Sequence, residues 1–240
     1  MDLVSVVIPY FKKREYIKRC IQSVLRQNYQ KFEIIIVYDG EDFSDLAYIS
    51  ALVKKDKRIH LIKNNKLLGA GLSRNKGINI AKGKFIALLD ADDYWNKNKL
   101  KFQIKFMKNH NYQVSHTSYQ IIDKENKKIS IRSARNFYEI EDLLYSCDIG
   151  LSTVILKKNI FSKNTKFPDT KTKEDFILWL RLLKKKIPII GLDKKLTYWR
   201  KLDNSLSSST IQKISDGFKV YYVYMNYSFL KSIINLFYLS

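Results

Sequence analysis

Apolar runs alternate with amphipathic segments through the first part of the chain. Runs at residues 3–8, 32–37 and 58–62, and again from Phe85, predict buried β-strands. Segments with apolar residues at helical spacing predict helices at residues 14–26, 46–55 and 72–81. Strands and helices that alternate in this way indicate right-handed crossovers between parallel strands. The pattern therefore predicts an α/β fold with a mostly parallel sheet and flanking helices.

The alternation changes after Trp95. Helices are predicted at residues 100–108, 140–145 and 175–185, and strands at residues 114–123 and near 151–156. The first of these strands alternates like an edge strand, and a polar, basic and mobile hairpin region is predicted for residues 124–136. Because no Pro-, Gly- or Ser-rich linker interrupts the chain, we expect one domain over residues 1–208 and a helical tail over residues 209–240.

Three carboxylates follow the apolar run that starts at Phe85. The segment reads FIALLDADDYW and carries Asp90, Asp92 and Asp93. Clustered carboxylates repel one another unless a cation neutralises them, so Mg²⁺ or Mn²⁺ is the expected partner. A bound metal in turn suits a diphosphate, whose oxygens it can neutralise during bond cleavage. In the alternative interpretation Asp93 or Asn96 caps the next helix. Capping explains one acid and not three, which favours a metal site.

The charge balance points to anionic partners. The 240 residues include 44 Lys and Arg against 23 Asp and Glu, a net charge of +21. Such a charge suits nucleic acid, an anionic membrane surface or phosphate-bearing substrates. Cys20 and Cys147 show no metal or CxxC spacing, and the first apolar run is too short for a secretion signal. We therefore expect a cytoplasmic protein with reduced thiols.

Five blocks of sequence, in this order, resemble family-2 glycosyltransferases with the GT-A fold. They are VSVVIPYF, CIQSVLRQNYQKFEIIIVYDG, GAGLSRNKGINIAKGKFIALLDADDYW, FPDTKTKEDFILWLRLL and YWRKLDNSLS. The resemblance implies a Rossmann-like nucleotide-binding sheet and a Mn²⁺ or Mg²⁺ cofactor. It also implies transfer, with inversion, of a hexose or N-acetylhexosamine from a UDP-sugar to an acceptor hydroxyl.

The resemblance also assigns residues to the donor nucleotide. The loop Pro9-Tyr10-Phe11 would offer an aromatic face to the base, with Phe11 as the stacking residue, and Asp39 would accept the imide N–H of uracil. Arg74 would reach the nucleotide, where a guanidinium suits phosphate. Asp90 and Asp92 would contact ribose or donor sugar, and Asp92 or Asp93 would ligate the metal. For Phe11 and Arg74, a surface aromatic and a solvated arginine remain alternatives. Tyr38 and Lys12 depart from the family pattern, which leaves the base preference open.

A second acidic pair supplies the expected general base. In the family an acid of the segment Lys173-Glu174-Asp175-Phe176 takes the proton of the acceptor hydroxyl, and we assign Asp175. Alternatively, the two acids only favour the positive N-terminus of the following helix. Possible diphosphate or acceptor contacts are Glu174, Trp179 and Arg200, although Trp179 also suits the core. Ser205 or Ser207 would fold over the donor together with Arg200.

The last thirty residues carry apolar side chains at helical spacing, interrupted by Lys219 and Lys231. Such a tyrosine-rich, lysine-containing segment suits the membrane interface better than a membrane-spanning helix. Packing on the catalytic domain, or on a second copy as a homodimer, is the alternative. A polyprenyl-diphosphate-linked saccharide acceptor would explain both the tail and the charge. We therefore expect a peripheral protein on the inner face of the cell membrane, active in surface-polysaccharide synthesis (O-antigen, capsule or lipooligosaccharide).

The competing hypothesis is a non-catalytic basic protein that binds nucleic acid or a membrane. The lysines are scattered over every predicted element, and the aromatic residues lie mostly at apolar-face positions. A nucleic-acid interface typically forms a single basic, aromatic-lined stripe. We therefore expect no nucleic-acid partner.

Overall fold

A computed structural model of the chain describes residues 1–202 and 210–238. The strands are β1 (Val4–Tyr10), β2 (Phe32–Tyr38), β3 (Ile59–Lys63), β4 (Phe85–Leu88), β5 (Tyr94–Trp95), β6 (Val114–Ile122), β7 (Lys128–Arg132), β8 (Ile155–Lys157) and β9 (Ile189–Arg200). The helices are α1 (Arg14–Leu25), α2 (Phe43–Val53), α3 (Ala70–Ile80), α4 (Lys99–Asn109), α5 (Glu174–Lys184), α6 (Thr210–Lys219) and α7 (Phe229–Tyr238). Short 3₁₀ helices lie at Ile140–Asp142, Leu151–Thr153 and Lys158–Ile160, and a π-helix lies at Val220–Tyr224.

The strands form one sheet in the order β3-β2-β1-β4-β8-β6-β9-β5, with β7 paired to β6. The first four strands are parallel, as the alternation of strands and helices predicts. Beyond β4 the sheet is mixed, because β8 runs antiparallel to both β4 and β6 while β9 runs parallel to β6. Parallel strands end at a common edge, so β1, β2 and β4 bring their carboxyl ends together.

The part of the chain after β5 corrects two sequence predictions and adds one strand that was not predicted. Strand β6 is not an edge strand, since it pairs with β7, β8 and β9. Its polar residues Ser115 and Ser118 are buried and bond to Gln103 and Asp193, and they therefore imitate the alternation of a solvent-facing strand. Strand β9 escaped prediction because exposed polar residues interrupt its apolar pattern at mid-length. The helix predicted at residues 140–145 is a single 3₁₀ turn.

Two layers of helices cover the sheet. One core cluster joins β1, β2 and β4 to α1 and α4, and the other joins the opposite face to α3 and α5. Helix α3 packs directly on the sheet because Gly77 has no side chain. A Cβ atom at this position would lie 2.7 Å from Cγ1 of Val7. This close approach fixes the helix that carries Arg74 against the carboxyl ends of β1 and β4.

The C-terminal tail packs on the α5 side of the molecule. Val220, Tyr221 and Met225 are buried in the same cluster as α5, and the Tyr221 hydroxyl donates a 2.6 Å hydrogen bond to the Leu144 carbonyl. Within residues 1–202 and 210–238, every helix is too short or too polar to cross a membrane. For these three side chains the tail packs on the catalytic domain, which was the alternative interpretation of its sequence.

Candidate active site

The three acids of the DADD segment lie in the turn between β4 and β5, at the carboxyl edge of the parallel strands. Strand β1 pairs with β4, so the residues after Tyr10 lie beside this turn. Strand β1 continues through Pro9 to Tyr10, past the predicted run at residues 3–8. Phe11 follows Tyr10 and is 38% exposed at the edge of the sheet, with the Lys12 ammonium 5.3 Å from the centre of its ring.

Asp93 anchors the acid turn. It is 1% exposed, and its Oδ1 accepts a 2.7 Å hydrogen bond from the backbone N–H of Arg200. Burial, together with the charges of Asp92 and Asp90, raises the pKa of Asp93 well above its ordinary value. Its second oxygen, Oδ2, is buried without a hydrogen-bond partner among the described residues. Asp93 therefore lies behind the turn, in the protein, while Asp92 lies nearer the solvent.

Asp92 is paired with a cation that the sequence analysis missed. The Lys13 ammonium lies 2.8 Å from Oδ2 of Asp92, and both side chains are partly exposed. Lys13 is the residue just before α1, and it follows Lys12, which has a left-handed φ of 49°. Its position after β1, whose carboxyl end adjoins that of β4, was the signal available in the sequence.

Arg74 connects the two acidic segments. Its Nη2 lies 2.7 Å from Oδ1 of Asp90, and its Nη1 lies 2.8 Å from Oε1 of Glu174. Arg74 is 4% exposed, so the alternative of a solvated helix-face arginine is wrong. Its guanidinium also lies 5.3 Å from the centre of the Phe167 ring. An ion pair with this little solvent contact is costly to break, because each partner would be left without compensation.

Asp175 lies beside Glu174 in the first turn of α5. Its Oδ1 accepts a 2.7 Å hydrogen bond from the backbone N–H of Phe176. Burial, reinforced by the negative charge of Glu174, raises the pKa of Asp175 to about 6. A carboxylate with this pKa is ionised at neutral pH and is a better proton acceptor than a free aspartate, as a general base requires.

Asp39 directly follows β2, and its side chain holds the loop that precedes α3. Its two oxygens accept hydrogen bonds from the backbone N–H groups of Leu68 (2.8 Å) and Gly69 (2.7 Å), and the side-chain amide of Asn64 donates a third (2.9 Å). A carboxylate offers about four acceptor positions, so one remains for the predicted uracil imide. Asn64, which also donates to Ser73, is a second residue of this region that the sequence analysis missed.

Arg200 holds the acid turn to the hairpin at β7. Its Nε donates to the Asp92 carbonyl at 3.0 Å, and Nη1 donates to the carbonyls of Asp123 and Lys124. Its Nη2 donates to Oδ1 of Asn126, and the residue is 5% exposed. In this arrangement the guanidinium serves the backbone rather than a diphosphate. Ser205 and Ser207 lie outside the described residues.

Trp179 lies in the core. Its side chain is completely buried in the cluster that joins α5 to the sheet, so of the two predicted roles the core position holds. Its indole nitrogen finds no hydrogen-bond partner among the described residues. A stacking contact with an acceptor sugar would need a surface that this side chain lacks.

A divalent cation fits the acid turn only if the substrate completes its coordination. Across the described ranges, 1–202 and 210–238, no three His, Cys, Asp or Glu side chains are grouped closely enough to hold a metal ion on their own. Mg²⁺ is usually held by one or two carboxylates together with substrate phosphates and water. Asp92 is accessible, and the orphaned Oδ2 of Asp93 supplies a second unsatisfied oxygen in the same turn. The donor set therefore fits a metal that binds together with a diphosphate.

Comparisons with known proteins agree with the sequence blocks. The protein-family model of glycosyl transferase family 2 matches residues 5–181. The putative teichuronic acid biosynthesis glycosyltransferase TuaG of Bacillus subtilis is 32% identical over 92% of this chain and 87% of its own length. WfaP of Escherichia coli, a UDP-Glc:α-D-GlcNAc-diphosphoundecaprenol β-1,3-glucosyltransferase, is 36% identical over 89% of this chain and 83% of its own length.

Some relatives are much longer than this chain. An uncharacterized glycosyltransferase of Rickettsia felis is 38% identical over 81% of the chain, which spans 32% of that relative's length. The matched region is therefore one portion of the larger protein.

Solved structures show the same fold. TarS 1–349 of S. aureus, in complex with UDP-GlcNAc, matches with a TM-score of 0.76 at 21% identity over 98% of this chain and 70% of that chain. The mannosyltransferase PcManGT of Pyrobaculum calidifontis, with GDP-Man and Mn²⁺, matches with a TM-score of 0.71 at 12% identity over 97% and 69%. The expected GT-A fold is confirmed by these likenesses, and by the match to residues 5–181 the chain belongs to glycosyl transferase family 2.

Proposed function

We propose that this chain transfers a hexose or N-acetylhexosamine, with inversion, from a UDP-sugar to a hydroxyl of a lipid-linked saccharide in surface-polysaccharide synthesis. The names of two relatives support this substrate class, since WfaP acts on a diphosphoundecaprenol-linked GlcNAc and TuaG is assigned to teichuronic acid biosynthesis. The acceptor would then be a sugar on a polyprenyl diphosphate.

One observation carries the proposal. Arg74 binds Asp90 of the acid turn and Glu174 beside Asp175, so a single buried side chain connects the donor-side acids with the candidate base. A glycosyl transfer needs both within one substrate length, because the base must reach the acceptor hydroxyl while the donor is held. No cysteine or serine nucleophile is required, since a single displacement inverts the anomeric carbon.

In the proposed reaction Asp175 accepts the proton of the acceptor hydroxyl. The hydroxyl oxygen forms a bond to the anomeric carbon as the bond from that carbon to the UDP oxygen breaks. The electron pair of the broken bond leaves with UDP. The raised pKa of Asp175, about 6, keeps it ionised at neutral pH and suited to take the proton. Glu174 and Arg74 hold the start of α5 against the acid turn during this step.

The remaining residues bind the donor. Phe11, with Pro9 behind it, would stack on the base, and Asp39 would accept the imide N–H with its remaining acceptor position. Asp90 and Asp92 would contact the ribose and the donor sugar. Asp92, with Asp93 behind it, would hold Mn²⁺ or Mg²⁺. When bound, the metal would neutralise charge on the diphosphate. Lys13, now 2.8 Å from Asp92, supplies a positive charge at the same place.

The test is a panel of UDP-sugars, with and without Mn²⁺, followed by turnover on a GlcNAc-diphosphate-lipid acceptor. We expect UDP and one UDP-sugar to raise the melting temperature in Mn²⁺ or Mg²⁺ and not in EDTA, and the same sugar to appear on the acceptor. Salt-sensitive binding to DNA or RNA without affinity for any nucleotide-sugar would instead support the competing binding protein.

The tail supports a peripheral location on the inner face of an anionic membrane. Helix α7 turns its polar residues Ser232 and Asn235 to the protein, where both are buried, and leaves Leu230 and Phe237 exposed by 68% and 84%. The two buried polar groups bond to carbonyls of their own helix, Ser228 and Lys231. Exposed apolar side chains along one side of a helix mark a surface that contacts a membrane or another protein. The net charge of +21 favours anionic lipid over a second copy of equal charge.

Flotation with phosphatidylglycerol vesicles tests this location. We expect the protein to float with these vesicles and not with neutral phosphatidylcholine. The double variant Leu230→Ser, Phe237→Ser should lose the interaction, whereas Ile129→Ser, at a 52% exposed position on β7, should retain it. If sedimentation shows a homodimer that the double variant disrupts, and vesicles do not bind, the tail is a subunit interface instead.

A further inference from the structure

The C-terminal tail is hydrogen-bonded to the loop just before α5, the helix whose first turn contains Asp175. Oδ2 of Asp216, on α6, accepts a 2.8 Å hydrogen bond from the Thr172 hydroxyl and a 3.1 Å hydrogen bond from the Thr172 backbone N–H. Asp216 is 1% exposed and Thr172 is 6% exposed, so water does not compete for these bonds. Two hydrogen bonds to one buried carboxylate are stronger than the same bonds between neutral groups.

The backbone between Thr172 and Asp175 is held in an uncommon conformation. Lys173 has φ 64° and ψ 12°, which is the left-handed region that a residue with a Cβ atom adopts only at an energetic cost. Such a residue persists only where its surroundings determine its conformation. On its C-terminal side the Lys173 carbonyl accepts the N–H of Ile177 at 3.0 Å, inside α5. On its N-terminal side the fixed point is Thr172, held by Asp216.

Asp216 is ionised although it is buried. Burial raises its pKa, but hydrogen bonds from Gln212 and Thr172 outweigh burial, so the pKa lies below its ordinary value. The Lys219 ammonium, 3.5 Å from Oδ1, adds a charge on the solvent side. Oδ1 of Asp216 therefore faces Lys219 of the same helix, and Oδ2 faces Thr172 in the loop before α5.

We propose that Asp216 is a positioning residue for Asp175, acting through Thr172 and the left-handed turn at Lys173. The C-terminal tail is then part of the catalytic apparatus as well as a candidate membrane contact. This inference rests on the proposed glycosyltransferase function, in which Asp175 is the base. Loss of the two hydrogen bonds lets the turn relax, which moves the carboxylate relative to the acceptor hydroxyl and leaves the donor side unchanged.

The experiment compares Asp216→Leu, Thr172→Val and Asp216→Asn in the full-length protein. Leucine fills the space of the aspartate but accepts no hydrogen bond, and valine removes only the hydroxyl of Thr172. An asparagine oxygen can still accept both bonds. We expect Asp216→Leu to lower kcat by about tenfold or more, because displacement of a catalytic group by about 1 Å can cost up to about a hundredfold. Thr172→Val should lower kcat by less than Asp216→Leu does, and Asp216→Asn should keep kcat close to that of the wild type.

Two readouts distinguish positioning from a loss of fold. KM for the UDP-sugar and the affinity for UDP should change by less than about twofold in all three variants, since the bonds of Asp216 go to Thr172 and to residues of its own helix rather than to the acid turn. Ser232→Ala is the matched control, because it also removes a buried hydrogen bond of the tail, but one that goes to the Ser228 carbonyl just before α7 and not to the loop at Thr172. It should leave kcat unchanged.

Normal kcat in both Asp216→Leu and Thr172→Val would overturn the inference while leaving the proposed function intact. Equal losses of kcat in Asp216→Leu and Ser232→Ala would also overturn it, because the tail would then matter only for stability. If the wild-type protein turns over no UDP-sugar at all, the proposed function fails, and this inference fails with it.

Discussion

The molecule carries two acidic segments, residues 90–93 and residues 174–175, and they are neutralised in opposite ways. In the first, Lys13 and Arg74 bring positive charge to Asp92 and Asp90. In the second, Arg74 binds Glu174, and Asp175 receives only a backbone N–H and keeps a pKa of about 6. The proposed cation site and the proposed base therefore lie in different electrostatic surroundings.

This difference arises from neighbours rather than from local sequence. Both segments place adjacent carboxylates next to a buried apolar stretch. In each, one acid of an adjacent pair binds a cation, which is the partly exposed Lys13 for Asp92 and the buried Arg74 for Glu174. The other acid turns towards the protein and has its pKa raised by burial. The Asp93 carboxylate accepts a hydrogen bond from the backbone N–H of Arg200 inside the protein. Asp175 lies at the start of α5, where its carboxylate remains available for a proton.

The largest effect is expected from Asp175→Asn. The amide keeps the shape of the side chain but cannot accept the acceptor proton, so kcat should fall by about a thousandfold, within the usual range for a general base. Affinity for UDP, measured by calorimetry, should be unchanged. Glu141→Gln, at an exposed position outside the site, is the control. An Asp175→Asn variant with near-normal turnover would assign the base to another residue.

A smaller effect, about a hundredfold in turnover, is expected from Asp92→Asn. This change removes one charge from the acid turn and leaves Lys13 unpaired, so binding of UDP should lose its dependence on Mn²⁺. The measurement is a titration of UDP with and without Mn²⁺. Asp56→Asn, which breaks an ion pair at the opposite edge of the sheet, should keep the metal dependence. Full activity of the wild type in EDTA would remove the metal from the proposal.

The variant Arg74→Met removes the side chain that connects Asp90 of the first acidic segment with Glu174 of the second. We expect it to lower the free energy of unfolding by roughly 2 kcal/mol, less than the about 3–5 kcal/mol of a fully buried pair, because Asp90 and Glu174 retain some solvent contact. Chemical denaturation measures the loss. The matched variant Arg58→Met breaks a partly exposed pair with Asp56 and should cost less than about 1 kcal/mol. Equal losses would show that burial of Arg74 adds nothing.

The smallest effect concerns the pH profile. Below pH 6 Asp175 is protonated and cannot accept a proton, so kcat/KM should fall as the pH falls through about 6. The charge of Glu174 raises the pKa of Asp175, so Glu174→Gln should move this acid limb to lower pH by less than about one unit. An acid limb that stays in place would show that burial alone sets the pKa.

The parallel half of the fold followed from periodicity, since continuous apolar runs and helical spacing are local properties. The prediction failed where tertiary contacts produced the same local pattern. Strand β6 alternates although Ser115 and Ser118 are buried, because their hydroxyl groups are satisfied by Gln103 and Asp193. The tail was predicted to be amphipathic, but periodicity cannot tell which side of α7 faces the protein. Ser232 and Asn235 face inwards because their own helix satisfies their hydrogen bonds.

The sequence by itself determined the fold class, the acid turn at the end of β4 and the acidic pair at the start of α5, because strand ends and helix starts are encoded by neighbouring residues. Only the tertiary structure decided which charge each carboxylate meets. Arg74 and Glu174 are separated by 100 residues, and Thr172 and Asp216 by 44. Such contacts form only when the sheet and the tail are packed, and the resulting burial sets the pKa and the role of each acid.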